Sequence, residues 1–183
     1  MKTQTPLMGL ERRPEVHVVG AAEGVPMCGT FCGVGDIPAA VALARNADVA
    51  MLFVGLHSTQ GAQSQATNTS TDMPGQNNGP GMEREGYDRT NLTLPLGQEQ
   101  LIKAVSATGV KVVVVLINSG GIACEGWLGN VSAVLEAYYP GEMGGDAIAS
   151  VVLGDVSPSG RLTTTVYHAD FIHQRNITDM VCI

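Results

Sequence analysis

Two short runs of hydrophobic residues dominate the pattern along the chain. Val49–Leu56 and Val112–Ile117 are apolar throughout, without the alternation of a half-exposed strand. Strands that are buried on both faces have this pattern, so both runs are predicted to be central strands of a sheet. Three further strands are predicted at Val16–Gly20, at Ala133–Ala137 and, as an alternating β-branched edge strand, at Arg161–Tyr167.

The segments between these strands are predicted to be helices. Asp36 and Pro38 suit the cap and the first turn of a helix that extends to about Ala47. Three more helices are predicted: one from Pro95 to Gly109 with an inward stripe of Leu101, Ile102 and Val105, a short one carrying Trp127, and Gly144–Leu153 closed by Gly154. Alternating strands and helices predict an α/β layer with a mostly parallel sheet.

One long polar segment interrupts this alternation. Ser58–Met82 is rich in Gln, Asn, Thr, Ser and Gly, and is predicted to be a loop insertion at the surface. It leaves from the end of the first apolar strand, and the loop Tyr138–Glu142 follows another strand. In parallel sheets the ligand crevice lies at the carboxyl ends of the strands, so we expect a site where these loops meet.

Composition limits the function classes. A chain of 183 residues with 44% hydrophobic content can bury one core, and residues 1–183 are predicted to form a single domain. A net charge of −7, with 15% charged residues, argues against nucleic acid or an anionic membrane surface as a partner. No apolar run approaches the roughly 18 residues of a membrane helix.

The cysteines do not indicate a metal site. Cys28 and Cys32 lie close together in a Gly-rich turn, but Cys124 and Cys182 are isolated, whereas a zinc site needs a second nearby pair. A local disulfide and two free thiols both remain open for the first pair. Gly33-Val34-Gly35 departs from the dinucleotide-binding pattern, so neither metal nor cofactor is expected.

Four asparagines lie in the acceptor pattern for N-glycosylation: Asn68, Asn91, Asn130 and Asn176. They are half of the eight asparagines, where chance would give roughly one match. This excess favours a secretory or extracellular glycoprotein, although the N-terminus lacks the apolar core of a signal peptide. Accidental matches in a bacterial or cytosolic chain are the alternative.

The segment EREGYDRTNLTLP, from Glu83 to Pro95, carries the candidate chemistry. Three acids and two arginines fall within seven residues at the end of the polar loop. Glycoside hydrolysis depends on carboxyl groups held at a sugar oxygen, and Glu83 and Glu85 are the candidates. A solvated turn of paired charges is the alternative that the spacing alone favours.

Seven motifs, which follow one another in the same order as in the family, resemble the second domain of glycoside hydrolase family 3. They are most similar to its β-xylosidase and β-glucosidase branch. They are TPLMGL at Thr5, ADVAMLFVGL at Ala47, EREGYDRTNLTLP at Glu83, GQEQLIKAV at Gly97, VVVVLINSGG at Val112, AYYPGEMGGDAIASVVLGD at Ala137 and SPSGRLTTTVY at Ser157. The resemblance implies a three-layer α/β/α sandwich that here lacks the family's first strand. It also implies that the usual catalytic β/α barrel and fibronectin-like module are absent, as in a fragment or a truncated gene product.

The resemblance further implies that this domain supplies the acid/base of a retaining β-glycosidase, while the barrel supplies an aspartate nucleophile. Glu83 matches the acid/base, Glu85 is the second candidate, and Asp88 and Arg89 are expected to pair and hold the loop. His57 and the long insertion depart from the family pattern. The implied partners are a carbohydrate and the barrel. A non-catalytic carbohydrate-binding or interaction module is the alternative function.

Overall fold

The computed structural model describes residues 3–25, 36–56, 89 and 91–174. Three strands are formed: β1 (Val49–Gly55), β2 (Lys111–Ile117) and β3 (Ala133–Glu136). The α-helices are α1 (Pro6–Glu11), α2 (Ile37–Ala44), α3 (Leu96–Ser106) and α4 (Gly144–Val152), and two 3-10 turns span Leu128–Asn130 and Ala169–His173. Among these helices none has the length and apolar character that crossing a membrane requires.

The three strands form one parallel sheet in the order β1-β2-β3. Val49 lies opposite Lys111 and Gly55 opposite Ile117, so β1 and β2 pair over their full length. Parallel neighbours need a crossover between them, and α3 lies in the crossover from β1 to β2. The predicted α/β class with a mostly parallel sheet is confirmed.

One face of the sheet carries the main core. Alternate residues of β1 and β2, Leu52 and Val54 with Val112 and Val114, pack with the inward stripe predicted for α3, Leu101, Ile102 and Val105. Burial of one such aliphatic side chain stabilises the fold by roughly 1.5–3 kcal/mol. Trp127 joins this cluster and is fully buried. The predicted stripe and the two apolar strands therefore meet as expected.

Local signals place the helix ends. Asp36 Oδ1 accepts a hydrogen bond from Ala39 N at 2.9 Å, as expected for the predicted cap of α2. Gly109 and Gly154, with φ of +83° and +84°, follow the last turns of α3 and α4. This left-handed backbone favours glycine and stops a helix. The sequence prediction of these boundaries is confirmed to within a few residues.

Helix α1, which was not predicted, packs closely against α4. A Cβ on Gly9 would collide with the carbonyl oxygen of Gly145, so the two backbones are in direct contact. Arg12 adds an ion pair to Asp146 at 3.2 Å, and Arg13 donates to Ser150 Oγ at 2.6 Å. The contact therefore fixes the N-terminal segment on α4.

Two predicted strands are wrong. Val16–Gly20 and Arg161–Tyr167 are both described and neither forms a strand. In the second segment every residue except Val166 is exposed, and Thr163 N donates to the Tyr138 hydroxyl at 3.4 Å. β-branched composition favours a strand only where a neighbouring strand completes the ladder. The predicted helix at Trp127 is also wrong: a turn and the short 3-10 segment Leu128–Asn130 take its place.

Glu125 holds the second 3-10 turn, Ala169–His173, against the domain. Its Oε1 accepts a hydrogen bond from Ala169 N at 2.8 Å, and within the turn's segment the rings of Tyr167 and Phe171 stack at 3.9 Å. The bond from Ala169 lowers the pKa of Glu125 below its ordinary value, and the electrostatic interaction with His168 acts in the same direction. Partial burial and the negative charge of Asp170 oppose this shift.

We expect Glu125→Gln to lower the melting temperature at pH 7 by roughly 1–3 °C, since the carboxylate is mostly exposed. A lowered pKa contributes stability above the ordinary value of 4.5, and this contribution is lost as pH falls through the lower folded value. The difference between wild type and variant should thus disappear in acid. Melting curves from pH 7 to pH 3 measure it, with exposed Glu142→Gln as control; a difference that grows in acid would contradict this.

Candidate functional site at the carboxyl edge of the sheet

The carboxyl ends of all three strands lie at one edge of the sheet. β1 ends at Gly55, β2 at Ile117 and β3 at Glu136, and all run in the same direction. Parallel α/β domains commonly bind ligands at this edge, so the segments that follow the strands are the candidate site. Polar side chains collect here, although the strands themselves are almost wholly apolar.

Asn118, directly after β2, is the buried centre of this edge. It is completely buried, and its Nδ2 donates to Gly120 O at 2.8 Å and to Glu136 Oε2 at a longer 3.4 Å. Its Oδ1 is buried without a partner among the described residues. A buried polar atom of this kind is costly in a folded protein unless something else binds it.

Glu136 links Asn118 to the loop that follows β3. Its Oε1 accepts a hydrogen bond from Tyr138 N at 3.2 Å. Tyr138 has φ of +51°, a left-handed conformation that costs a non-glycine residue about 1–2 kcal/mol. The Glu136 carboxylate therefore stabilises a turn that the backbone alone disfavours. The Tyr138 hydroxyl then lies 3.3 Å from Thr163 Oγ1.

The loop after β3 also reaches the end of β1. The Tyr139 hydroxyl donates to Leu56 O at 3.3 Å, and Tyr139 as a residue remains 47% exposed. From α3, Gln98 binds both backbone groups of Gly55: Oε1 accepts from Gly55 N at 2.8 Å and Nε2 donates to Gly55 O at 2.9 Å. Two elements thus fix the backbone at the point where the chain leaves β1.

The chain returns to the same edge at Arg89. Its Nη2 donates to Gly121 O at 2.6 Å, in the loop that follows β2. A backbone hydrogen bond from Ala123 N to Leu92 O, at 2.8 Å, joins the same two segments. The structure thus ties both the departing and the returning chain to the carboxyl edge.

In the sequence, the predicted site residues fall between Leu56 and Arg89. Glu83, Glu85 and Asp88 are outside the described residues, as are the insertion Ser58–Met82 and the pair Cys28 and Cys32. The assignment of Glu83 as acid/base, Glu85 as second candidate and the pairing of Asp88 with Arg89 stay predictions.

Sequence reasoning missed the polar residues that organise this edge. Glu136 is an acid in a short and otherwise apolar strand, and Asn118 is the first polar residue after the apolar run Val112–Ile117. Each could have been singled out because a polar group beside a buried strand needs a hydrogen-bonding partner. Gln98 carries no such signal, because it lies on a helix among other polar residues.

We expect Asn118→Ala to destabilise the domain by about 2–3 kcal/mol. The change removes the donor to Gly120 and Glu136 and leaves a cavity in a completely buried position. Urea unfolding followed by circular dichroism measures this value. Thr163→Ala, an exposed change at the far end of the same network, should cost less than about 0.5 kcal/mol. Equal losses for both variants would contradict the central role of Asn118.

Two other kinds of chemistry would need a reactive thiol or a cluster of metal-binding side chains. Cys124 is a free, partly buried thiol; burial raises its pKa, and the negative charge of Glu125 raises it further. A raised pKa disfavours the thiolate that nucleophilic catalysis needs. Within residues 3–25, 36–56, 89 and 91–174, no three His, Cys, Asp or Glu side chains are grouped to hold a metal ion.

The fold is a parallel α/β domain with a cluster of polar contacts at the carboxyl ends of its strands. A family model described as the glycosyl hydrolase family 3 C-terminal domain matches residues 2–179. The chain belongs to this family. It is 33% identical over 98% of its length to a probable β-D-xylosidase 7 of Arabidopsis thaliana, and 38% identical over 86% to a β-glucosidase of Rhizobium radiobacter.

Solved structures agree with this membership. A GH3 exo-β-xylosidase in complex with a xylobiose aziridine probe has a TM-score of 0.74 and 26% identity over 98% of the chain. The GH3 β-glucosidase of Bifidobacterium adolescentis has a TM-score of 0.73 and 32% identity over 94%. The chain spans 20% and 22% of these structures, and 20% and 18% of the two curated relatives. The relatives are therefore longer enzymes in which this domain is a fraction.

Proposed function

We propose that the chain is the acid/base-bearing domain of a retaining β-glycosidase that hydrolyses β-xylosides or β-glucosides. The observation that carries the proposal is the double attachment at the carboxyl edge: Tyr139 binds the backbone of Leu56, and Arg89 binds that of Gly121. The chain between these points bears Glu83 and Glu85. Membership of a family whose relatives include named xylosidases and glucosidases supports the substrate class.

In this proposal Glu83 acts first as an acid and then as a base. It protonates the glycosidic oxygen while an aspartate of a β/α-barrel domain attacks the anomeric carbon, and it then deprotonates the water that releases the sugar. Retention requires the two carboxyl groups to be about 5–5.5 Å apart. The attachments at Leu56 and Arg89 would limit the freedom of the segment that must reach across to the barrel.

We also propose a secretory or extracellular location and a glycoprotein. The support is the density of acceptor sites, four among eight asparagines. Localisation of the tagged protein in its source cells, with sensitivity to peptide N-glycosidase, tests this.

The isolated 183-residue chain is expected to show no turnover of aryl β-xylosides or β-glucosides. Without the nucleophile the oxocarbenium-like transition state loses its covalent partner and most of its charge stabilisation. Release of the aryl group is followed by absorbance, with a preparation carrying Glu83→Ala as control. Steady turnover above buffer that depends on Glu83 would contradict the need for a barrel.

A second experiment tests for gain of activity: the chain is fused to a barrel domain from a related family 3 enzyme. Hydrolysis that appears on joining and is lost with Glu83→Ala or with the barrel aspartate changed to alanine supports the proposed function. Sugar binding to the isolated chain without any hydrolysis in the joined protein would instead favour the non-catalytic module.

A further inference from the structure

Two of the four N-glycosylation motifs lie in the described part of the chain, and their side chains are used in different ways. They are Asn91-Leu92-Thr93, just after Arg89, and Asn130-Val131-Ser132, just before β3. An attached oligosaccharide must extend into solvent. The fold can therefore accommodate it only where the asparagine side chain is exposed and makes no hydrogen bonds within the protein. The two positions differ in both respects.

The side chain of Asn91 is hydrogen-bonded within its own turn. It is half-buried, and its Oδ1 accepts hydrogen bonds from Thr93 N at 2.9 Å and from Thr93 Oγ1 at 3.0 Å. The same segment is joined to the loop after β2 by a hydrogen bond from Ala123 N to Leu92 O. A glycan at Asn91 would therefore be attached inside the network of the carboxyl edge, where the proposed sugar substrate binds.

Asn130 has the opposite surroundings. It is exposed at the end of the 3-10 turn Leu128–Asn130, and its side chain makes no hydrogen bond within the described residues, while its backbone N donates to Trp127 O at 2.9 Å. Ser132, the third residue of the motif, is also exposed, and its backbone N donates to Val112 O at 2.8 Å. This contact is at the start of β2, so Asn130 lies at the amino edge of the sheet, opposite the site.

We infer that Asn130 is an N-glycan acceptor and that Asn91 is not occupied in the folded protein. In the transfer, Asn130 Nδ2 forms a bond to the anomeric carbon of a lipid-diphosphate-linked oligosaccharide. The anomeric carbon–oxygen bond of that donor breaks, the lipid diphosphate leaves, and the amide loses one proton. The inference rests on the proposed secretory compartment, so the experiment supplies that compartment itself and the two can fail separately.

The full chain is expressed with a secretion leader in a eukaryotic host, and a known glycoprotein is co-expressed to show that the host transfers glycans. Peptide N-glycosidase converts each occupied asparagine to aspartate, which mass spectrometry of the peptides detects. We expect modification at Asn130, its loss in both Asn130→Gln and Ser132→Ala, and an unmodified Asn91. Asn91→Gln should leave the glycoform pattern at Asn130 unchanged, and melting curves of each variant show that it is folded.

Three results would overturn the inference: an unmodified Asn130 while the control glycoprotein is modified, occupancy at Asn91 equal to or above that at Asn130, or persistence of the Asn130 modification in Ser132→Ala. The source organism's own compartment does not enter these outcomes. Failure of the secretory proposal therefore leaves them unchanged, and so does failure of the proposed hydrolysis.

Discussion

Replacing Glu83 by alanine in the proposed barrel-containing enzyme is expected to lower kcat/KM for substrates with poor leaving groups by about 10²- to 10⁴-fold. Such leaving groups depart only when the glycosidic oxygen is protonated. Substrates with activated aryl leaving groups should lose much less at the first chemical step, and added azide should accelerate release of the glycosyl-enzyme, because azide attacks without base assistance. Steady-state kinetics with alkyl and activated aryl β-xylosides measure both effects.

Glu85→Ala is the matched control, because it removes a second carboxylate two residues away. Glu85 is closer in sequence to Asp88 and Arg89, and we expect Arg89 to keep it ionised and unsuited to donate a proton. This variant should keep its activity on substrates with poor leaving groups, and added azide should not accelerate its turnover. If Glu85→Ala shows the leaving-group dependence and Glu83→Ala does not, the two assignments must be exchanged.

Replacing Gly55 by alanine is expected to destabilise the domain by about 3 kcal/mol or more. Gly55 has φ of +153°, which side-chain-bearing residues rarely adopt, and a Cβ there would collide with the backbone carbonyl of Ile117 on β2. The same backbone is bound on both groups by Gln98, so it has no room to relax. Chemical denaturation of the chain measures the loss.

Gly129→Ala serves as the control for Gly55. No heavy atom lies within 4 Å of a Cβ built at Gly129, and its φ is outside the left-handed range. It should change the free energy of unfolding by less than about 0.5 kcal/mol. If Gly55→Ala is tolerated equally well, the contact between the ends of β1 and β2 is looser than the structure indicates.

The amino-acid sequence by itself determined the central strands and the helices that cover them. Continuous apolar runs at β1 and β2, the stripe of Leu101, Ile102 and Val105, and the Asp36 cap are local signals, and each reflects burial or hydrogen bonding that the residue itself requires. The same locality explains the errors. Arg161–Tyr167 has the composition of a strand, but no partner strand lies beside it in the described structure.

Only the tertiary structure decided how the carboxyl edge is organised. Tyr139 binds Leu56 across 83 positions of sequence, Gln98 binds Gly55 across 43, and Arg89 binds Gly121 across 32. Such contacts depend on which strands become neighbours and in which register, and a window of adjacent residues does not contain that information. The motif around Glu83 could thus be recognised from the sequence, whereas the residues that hold its two flanks became visible only once the strands were paired.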